Sequence, residues 1–131
     1  MRSIGVMIVT NHPIMQEGLR ILVQQESDMH VVCEASDTTS TLQDFRECNP
    51  DVVLIDLQSP RGAGVGLVYE IRRQSPGTRL VVLTSYPSEM DQRIRDAEGP
   101  TLLLSKDSAG VELISAVRKM FVPCVTDADP G

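Results

Sequence analysis

Short apolar runs alternate with amphipathic stretches five times along these 131 residues, and that alternation restricts the chain to few architectures. Ile4–Val9 lacks the in–out alternation of a half-solvated strand, so it predicts a strand buried on both faces. His30–Ala35 predicts a second, weaker strand, Asp51–Asp56 a third, Leu80–Leu83 running to Thr84 a fourth, and Leu102–Leu104 a fifth. Pro13 suits an early helical turn, where its missing N–H has no partner to lose. After it Ile14, Gly18, Ile21 and Leu22 recur at helical spacing, with Leu19 widening the face, until Gln25-Glu26-Ser27. Ser36-Asp37 suits the cap of a helix carrying Leu42 and Phe45, which stops near Asn49-Pro50 because the residue before proline avoids helical angles. Arg61-Gly62-Ala63-Gly64 predicts a loop, followed by a helix with Val65, Val68 and Ile71 and a turn at Pro76-Gly77. A helix over roughly Ser88–Ala97, and a last one over about Ala109–Phe121 with Val111, Ile114, Val117 and Phe121 on one side, complete the series. Strands buried on both faces and joined by helical crossovers make a parallel sheet between two helical layers. The expected fold is α/β: a doubly wound, five-stranded, parallel three-layer sandwich.

The length suits one domain with a substantial core. A net charge of −6 argues against this domain gripping nucleic acid, because phosphate contacts need clustered Lys and Arg. Arg72-Arg73 reads as a solvated helix face. Cys33, Cys48 and Cys124 are odd in number and lack metal-site spacing, so they are expected to be buried free thiols. His12 and His30 have no second ligand at metal spacing and are read as structural or solvated. No opening segment resembles a signal peptide and no run of about 18 apolar residues spans a membrane, so a cytoplasmic location without membrane contact is expected. Val122–Gly131, with two prolines, two aspartates and no periodicity, reads as a linker or frayed end.

Chemistry gathers at the strand ends. In an open parallel sheet, ligands bind outside the carboxyl ends of the strands. Asp56 closes the third strand there, Thr84 the fourth, and Ser105-Lys106 follows the fifth. An acid, a hydroxyl and an amine delivered by separate strands suggest a small anionic site around Asp56. The first strand, ending at Thr10-Asn11, brings no carboxylate.

With these elements in place the chain resembles a two-component response-regulator receiver domain, in particular the LuxR/NarL transcription-factor class. The matching segments are residues 8–13 with Glu17-Gly18-Leu19-Arg20, residues 50–57, Val81-Val82-Leu83-Thr84 and residues 103–107. The resemblance implies the CheY-like, flavodoxin-like strand order 2-1-3-4-5 and a signalling domain rather than an enzyme. It also implies that Asp56 is the phospho-acceptor, attacking the phosphohistidine of a sensor histidine kinase. Thr84 would be the switch hydroxyl that bonds the new phosphoryl oxygen, and Lys106 the amine that pairs with Asp56 and then with phosphate. Pro60 and Gly64 match the loop after the acceptor, and the Gln58 carbonyl matches a backbone metal ligand. The same resemblance implies a receiver domain over residues 1–121, with residues 122–131 leading toward a helix-turn-helix output domain absent from this chain. DNA contact would come only through that domain. A homodimer is expected through the last strand and its flanking helices, where Val111, Ile114 or Met120 would be partly exposed.

The departure from the family is at Thr10-Asn11, where receivers place two acidic residues that hold Mg²⁺. The metal set reduces to Asp56, the Gln58 carbonyl and a neutral oxygen from Asn11. Each missing charge about 4 Å from a divalent ion removes several kcal/mol of attraction even at an effective dielectric of about 20. Leu103 stands where the family commonly carries a reporter aromatic; Tyr86, two residues after Thr84, is a candidate substitute but reads more simply as an exposed loop tyrosine. Two departures predict an atypical receiver with weak Mg²⁺ binding and weak or absent Mg²⁺-dependent phosphorylation at Asp56. In such a site Lys106 and Asp56 are expected to form a resident ion pair. The alternative is a phosphorylation-independent pseudo-receiver serving as a protein–protein interaction or dimerisation module. Competing classes fit poorly. A haloacid-dehalogenase-type phosphatase wants a second Asp where Gln58 stands, a P-loop nucleotidase wants a Gly-Lys-Ser/Thr loop, and a flavin carrier wants a glycine-rich phosphate loop and aromatics.

Overall fold

A computed structural model of the protein describes residues 3–36, 38–57, 63–84, 100–105 and 110–121. Among these are strands β1 (Ile4–Val9), β2 (Met29–Ala35), β3 (Val52–Leu57), β4 (Arg79–Thr84) and β5 (Thr101–Ser105), together with four helices. The helices are α1 (Pro13–Gln24), α2 (Thr38–Cys48), α3 (Ala63–Gln74) and α4 (Val111–Lys119). The strands pair in parallel in the order β2-β1-β3-β4-β5, the CheY-like arrangement expected. The expected helix over Ser88–Ala97 and the tail Val122–Gly131 lie outside the described residues.

The unbroken apolar strands follow from burial on both faces. Val6 and Ile8 of β1 point into one core with Leu19 and Val23 of α1 and Leu113, Ile114 and Val117 of α4. Met7 and Val9 point the other way, into Phe45 of α2 and Leu67, Val68 and Ile71 of α3. Successive side chains on a strand face opposite ways, so two cores leave no position for a polar residue until the strand ends. Pro13 opens α1 after His12, whose extended φ of −101° is what a residue before proline adopts. α2 ends at Cys48, and Asn49 turns the chain at a φ of 47°, a left-handed position that asparagine tolerates.

Four expectations are corrected. In α1 the buried residues are Leu19 and Val23, while Ile14 is 89% and Ile21 48% exposed. The stripe Ile14–Gly18–Ile21 lies about 100° from the stripe Met15–Leu19–Leu22, and the latter docks because leucine fills the core where Gly18 would leave a void. In α4 the docking side chains are Leu113, Ile114 and Val117; Val111 is 86% exposed, and Ile114 is buried rather than available to a partner. Cys33 and Cys48 are free but only half-buried, and Cys124 lies outside the described residues. Burial, followed by hydrogen bonding with Cys48, pushes the Cys33 thiol up to about 12.

The fourth correction concerns Arg72, which is buried rather than solvated. Its Nη1 donates to the carbonyls of Pro76 (2.8 Å) and Thr78 (2.6 Å), and its Nη2 to the Pro100 carbonyl (2.9 Å) and Thr101 Oγ1 (2.7 Å). One guanidinium therefore binds the turn after α3 to the entries of β4 and β5, where the carbonyls need donors. Burial lowers its pKa below that of an ordinary guanidinium. Arg73 takes the solvated role, pairing with Glu70 at 2.7 Å.

The far end of α4 is fastened twice. Arg79, the first residue of β4, donates from Nε to the Met120 carbonyl at 2.7 Å and lays its guanidinium 4.1 Å from the Phe121 ring centroid. Arg118 pairs with Glu26 and, at 2.8 Å, with Asp28 just before β2. The hydrogen bond from Arg118 holds the Asp28 carboxyl below its ordinary 3.8. A carboxyl depressed on folding contributes stability that is present above its unfolded value and is lost as pH falls through the folded one. Arg118→Ala is expected to return the Asp28 pKa to the ordinary range in an NMR titration; an unmoved Asp28 would disprove the coupling.

Candidate functional site

The sheet order puts β3 between β1 and β4, so the carboxyl ends of these three strands are neighbours. Val9 of β1 is in register with Ile55 of β3, which brings Thr10 alongside Asp56. Both are nearly buried, at 3% and 6% exposure. The Thr10 hydroxyl donates to Asp56 Oδ2 at 2.7 Å, and its oxygen accepts the His12 N–H at 3.1 Å. The Thr10 N–H donates to the Ala35 carbonyl at 3.0 Å, prolonging the β1–β2 pairing by one residue. On the other side Asp56 is in register with Leu83 and Leu57 with Thr84, which is fully buried, and Thr84 is in register with Ser105.

Thr10, Asp56 and Thr84 are thus gathered at one edge of the sheet. Lys106, Gln58, Pro60 and Tyr86 lie outside the described residues, although Lys106 is next in sequence after the β5 terminus. Asn11 is exposed. Leu103 is half-buried against the cluster of Met7 and Val82, an aliphatic packing role. His12 and His30 are exposed, His30 Nδ1 lying 2.7 Å from Ser3 Oγ. Beside the site an open groove of about 610 Å³ is lined by Asp56, His12, Met15 and the outward Ile14 and Ile21 of α1.

Thr10 is the residue that sequence reasoning undervalued, noting only the charge it lacks. A hydroxyl directly after β1, in a sheet where β1 adjoins β3, was the available signal for a partner to Asp56. Among the described residues the donor set offers Mg²⁺ little. This ion demands an octahedron of oxygens and is usually anchored by one or two carboxylates. Here one carboxylate already accepts a hydroxyl proton on Oδ2, and its nearest polar neighbour along β1 is neutral. Among the described residues no group of three or more His, Cys, Asp and Glu side chains gathers to hold a metal, and no helix is long and apolar enough to cross a membrane.

Residues 6–118 match the response regulator receiver domain family. The chain is 33% identical over 118 residues to the uncharacterized transcriptional regulatory protein YxjL of Bacillus subtilis, covering 88% of this chain and 53% of that protein. It is 31% identical over 113 residues to the nitrate/nitrite response regulator protein NarP of Escherichia coli, covering 86% and 53%. Among solved structures, a LuxR-family two-component response regulator from Aurantimonas superposes with a TM-score of 0.80 at 28% identity, covering 90% of this chain and 84% of that one. The chain spans about half the length of the two sequence relatives.

Proposed function

Because the chain belongs to the response regulator receiver domain family and is of the LuxR/NarL type, we propose that Asp56 is its phospho-acceptor and that it is phosphorylated slowly, with little help from Mg²⁺. The observation that carries this reading is the nearly buried Asp56 at the carboxyl edge of β3, between strand ends that bear Thr10 and Thr84. An Asp56 oxygen attacks the phosphorus of a kinase phosphohistidine. The P–N bond breaks, the imidazole takes the bonding pair and a proton, and an acyl phosphate remains. Thr84 and Lys106 donate to the phosphoryl oxygens, because phosphoryl transfer is helped chiefly by positioning and charge neutralisation. Lys106 then carries most of the neutralisation that a divalent ion supplies in acid-rich receivers. Each absent carboxylate costs such an ion several kcal/mol of attraction at an effective dielectric of about 20.

The test is incubation with acetyl phosphate, with and without Mg²⁺, followed by intact mass and peptide mapping. One phosphoryl group on Asp56, accumulating slowly and nearly independently of Mg²⁺, is expected. No adduct under any condition would sink the reading. A sensor histidine kinase is the natural phosphodonor, and DNA contact is assigned to a helix-turn-helix output domain outside this receiver.

Self-association is assigned to the face formed by β5 and α4. An open groove of about 670 Å³ there is lined by Leu102, Leu104, Ala116, Met120 and the exposed Val111. Val111→Glu is expected to weaken self-association at least about ten-fold, since one charge on an apolar contact costs more than 1.4 kcal/mol. Sedimentation velocity across a concentration series measures it. An unchanged distribution would remove this face from consideration.

A further inference from the structure

We propose that Thr10 is a positioning residue: its hydroxyl fixes the Asp56 carboxylate by a direct hydrogen bond, so that a threonine takes over the carboxylate-orienting part of what a cation does in an acid-rich receiver. The inference rests on Asp56 being the acceptor and adds a residue that helps hold it. The Thr10 hydroxyl has one proton and faces two groups. The His12 N–H points at its oxygen as a donor, so the hydroxyl proton is directed to Asp56 Oδ2, 2.7 Å away. A hydrogen bond to an ionised carboxylate is among the stronger kinds, and this one is enclosed at both ends. Threonine is stiff at χ1, and the Thr10 backbone is itself tied to the Ala35 carbonyl, so the hydroxyl is held in place before any ligand arrives.

An acidic side chain at position 10 would behave oppositely. Two carboxylates at this separation repel, and a divalent cation is what relieves the repulsion. Thr10 removes the repulsion and supplies a proton instead, which leaves a cation little to gain. Metal dependence is therefore set in part at position 10, beside the neutral Asn11, and not by Asp56 alone.

Four proteins test this: the wild type, Thr10→Ser, Thr10→Val and Thr10→Asp. Mg²⁺ binding is read by calorimetry and by the rise in melting temperature with added Mg²⁺, and labelling by acetyl phosphate is followed as before. The wild type and the Ser variant are expected to show no saturable Mg²⁺ binding in the low millimolar range, and the Ser variant to label at nearly the wild-type rate. The Val variant is expected to label about ten-fold more slowly, having lost one charge-assisted hydrogen bond. The Asp variant is expected to bind Mg²⁺ at least about ten-fold more tightly than the wild type and to gain melting temperature with it. If the Asp variant folds with a low melting temperature, the Mg²⁺-dependent rise still reports binding. An Asp variant indifferent to Mg²⁺, or a Val variant labelling as fast as the wild type, would overturn the proposal. Failure of the wild type to label at all would overturn the acceptor reading instead, while the Mg²⁺ titrations still decide the role of Thr10.

Discussion

Arg72→Ala is expected to lower the midpoint of thermal unfolding by about 10 °C, the equivalent of roughly 3 kcal/mol in a domain of this size. The change strips donors from the carbonyls of Pro76, Thr78 and Pro100 and from Thr101 Oγ1 together. Each buried acceptor left without a partner costs about 1–3 kcal/mol, reduced where water reaches it. Arg72→Lys should recover only part of the loss, because an ammonium cannot reproduce the planar fork that reaches β4 and β5 at once. Circular dichroism melts of both variants measure it. A drop for Ala within a degree or two of the wild type would mean that the four contacts contribute nothing net.

Asp56→Asn is expected to remove the acetyl phosphate label completely while leaving the fold intact. The amide is nearly isosteric and its carbonyl oxygen still accepts from Thr10, so the variant loses the nucleophile but keeps the hydrogen bond. Thr84→Ala is expected to be milder: slower labelling, by about ten-fold for one lost donor to the phosphoryl oxygens. Peptide mapping separates the two outcomes. Label persisting on the Asn variant would place the acceptor elsewhere in the chain.

The architecture was legible because the strands carry so little ambiguity. Val52–Ile55 and Leu80–Leu83 are apolar without interruption and too short for helices in a covered sheet, so parallel pairing follows directly. Helix faces were harder. In α1 two apolar stripes lie one residue apart, and a single glycine in one of them tips the packing toward the other. Counting at helical spacing weighs Ile14 as heavily as Leu19, whereas the sheet accepts only one of them. Arg72 was illegible for a different reason. Its partners are three backbone carbonyls and a threonine hydroxyl, and side-chain patterning carries no record of which carbonyls a fold will leave in need of donors. The candidate site stood between these cases. Asp56 and Thr84 were readable as strand termini, while the bond from Thr10 becomes visible only when β1 is laid against β3.

The grip of Arg79 on Met120 and Phe121 has a mechanical consequence. It pins the end of α4 at the foot of β4, and the length of β4 from Arg79 to Thr84, roughly 17 Å at 3.3 Å per residue, separates that foot from the strand ends that carry Thr10, Asp56 and Thr84. The candidate site and Phe121 thus sit at opposite poles of one strand. Any coupling between them would have to run through whole secondary elements, because no side chain spans that distance.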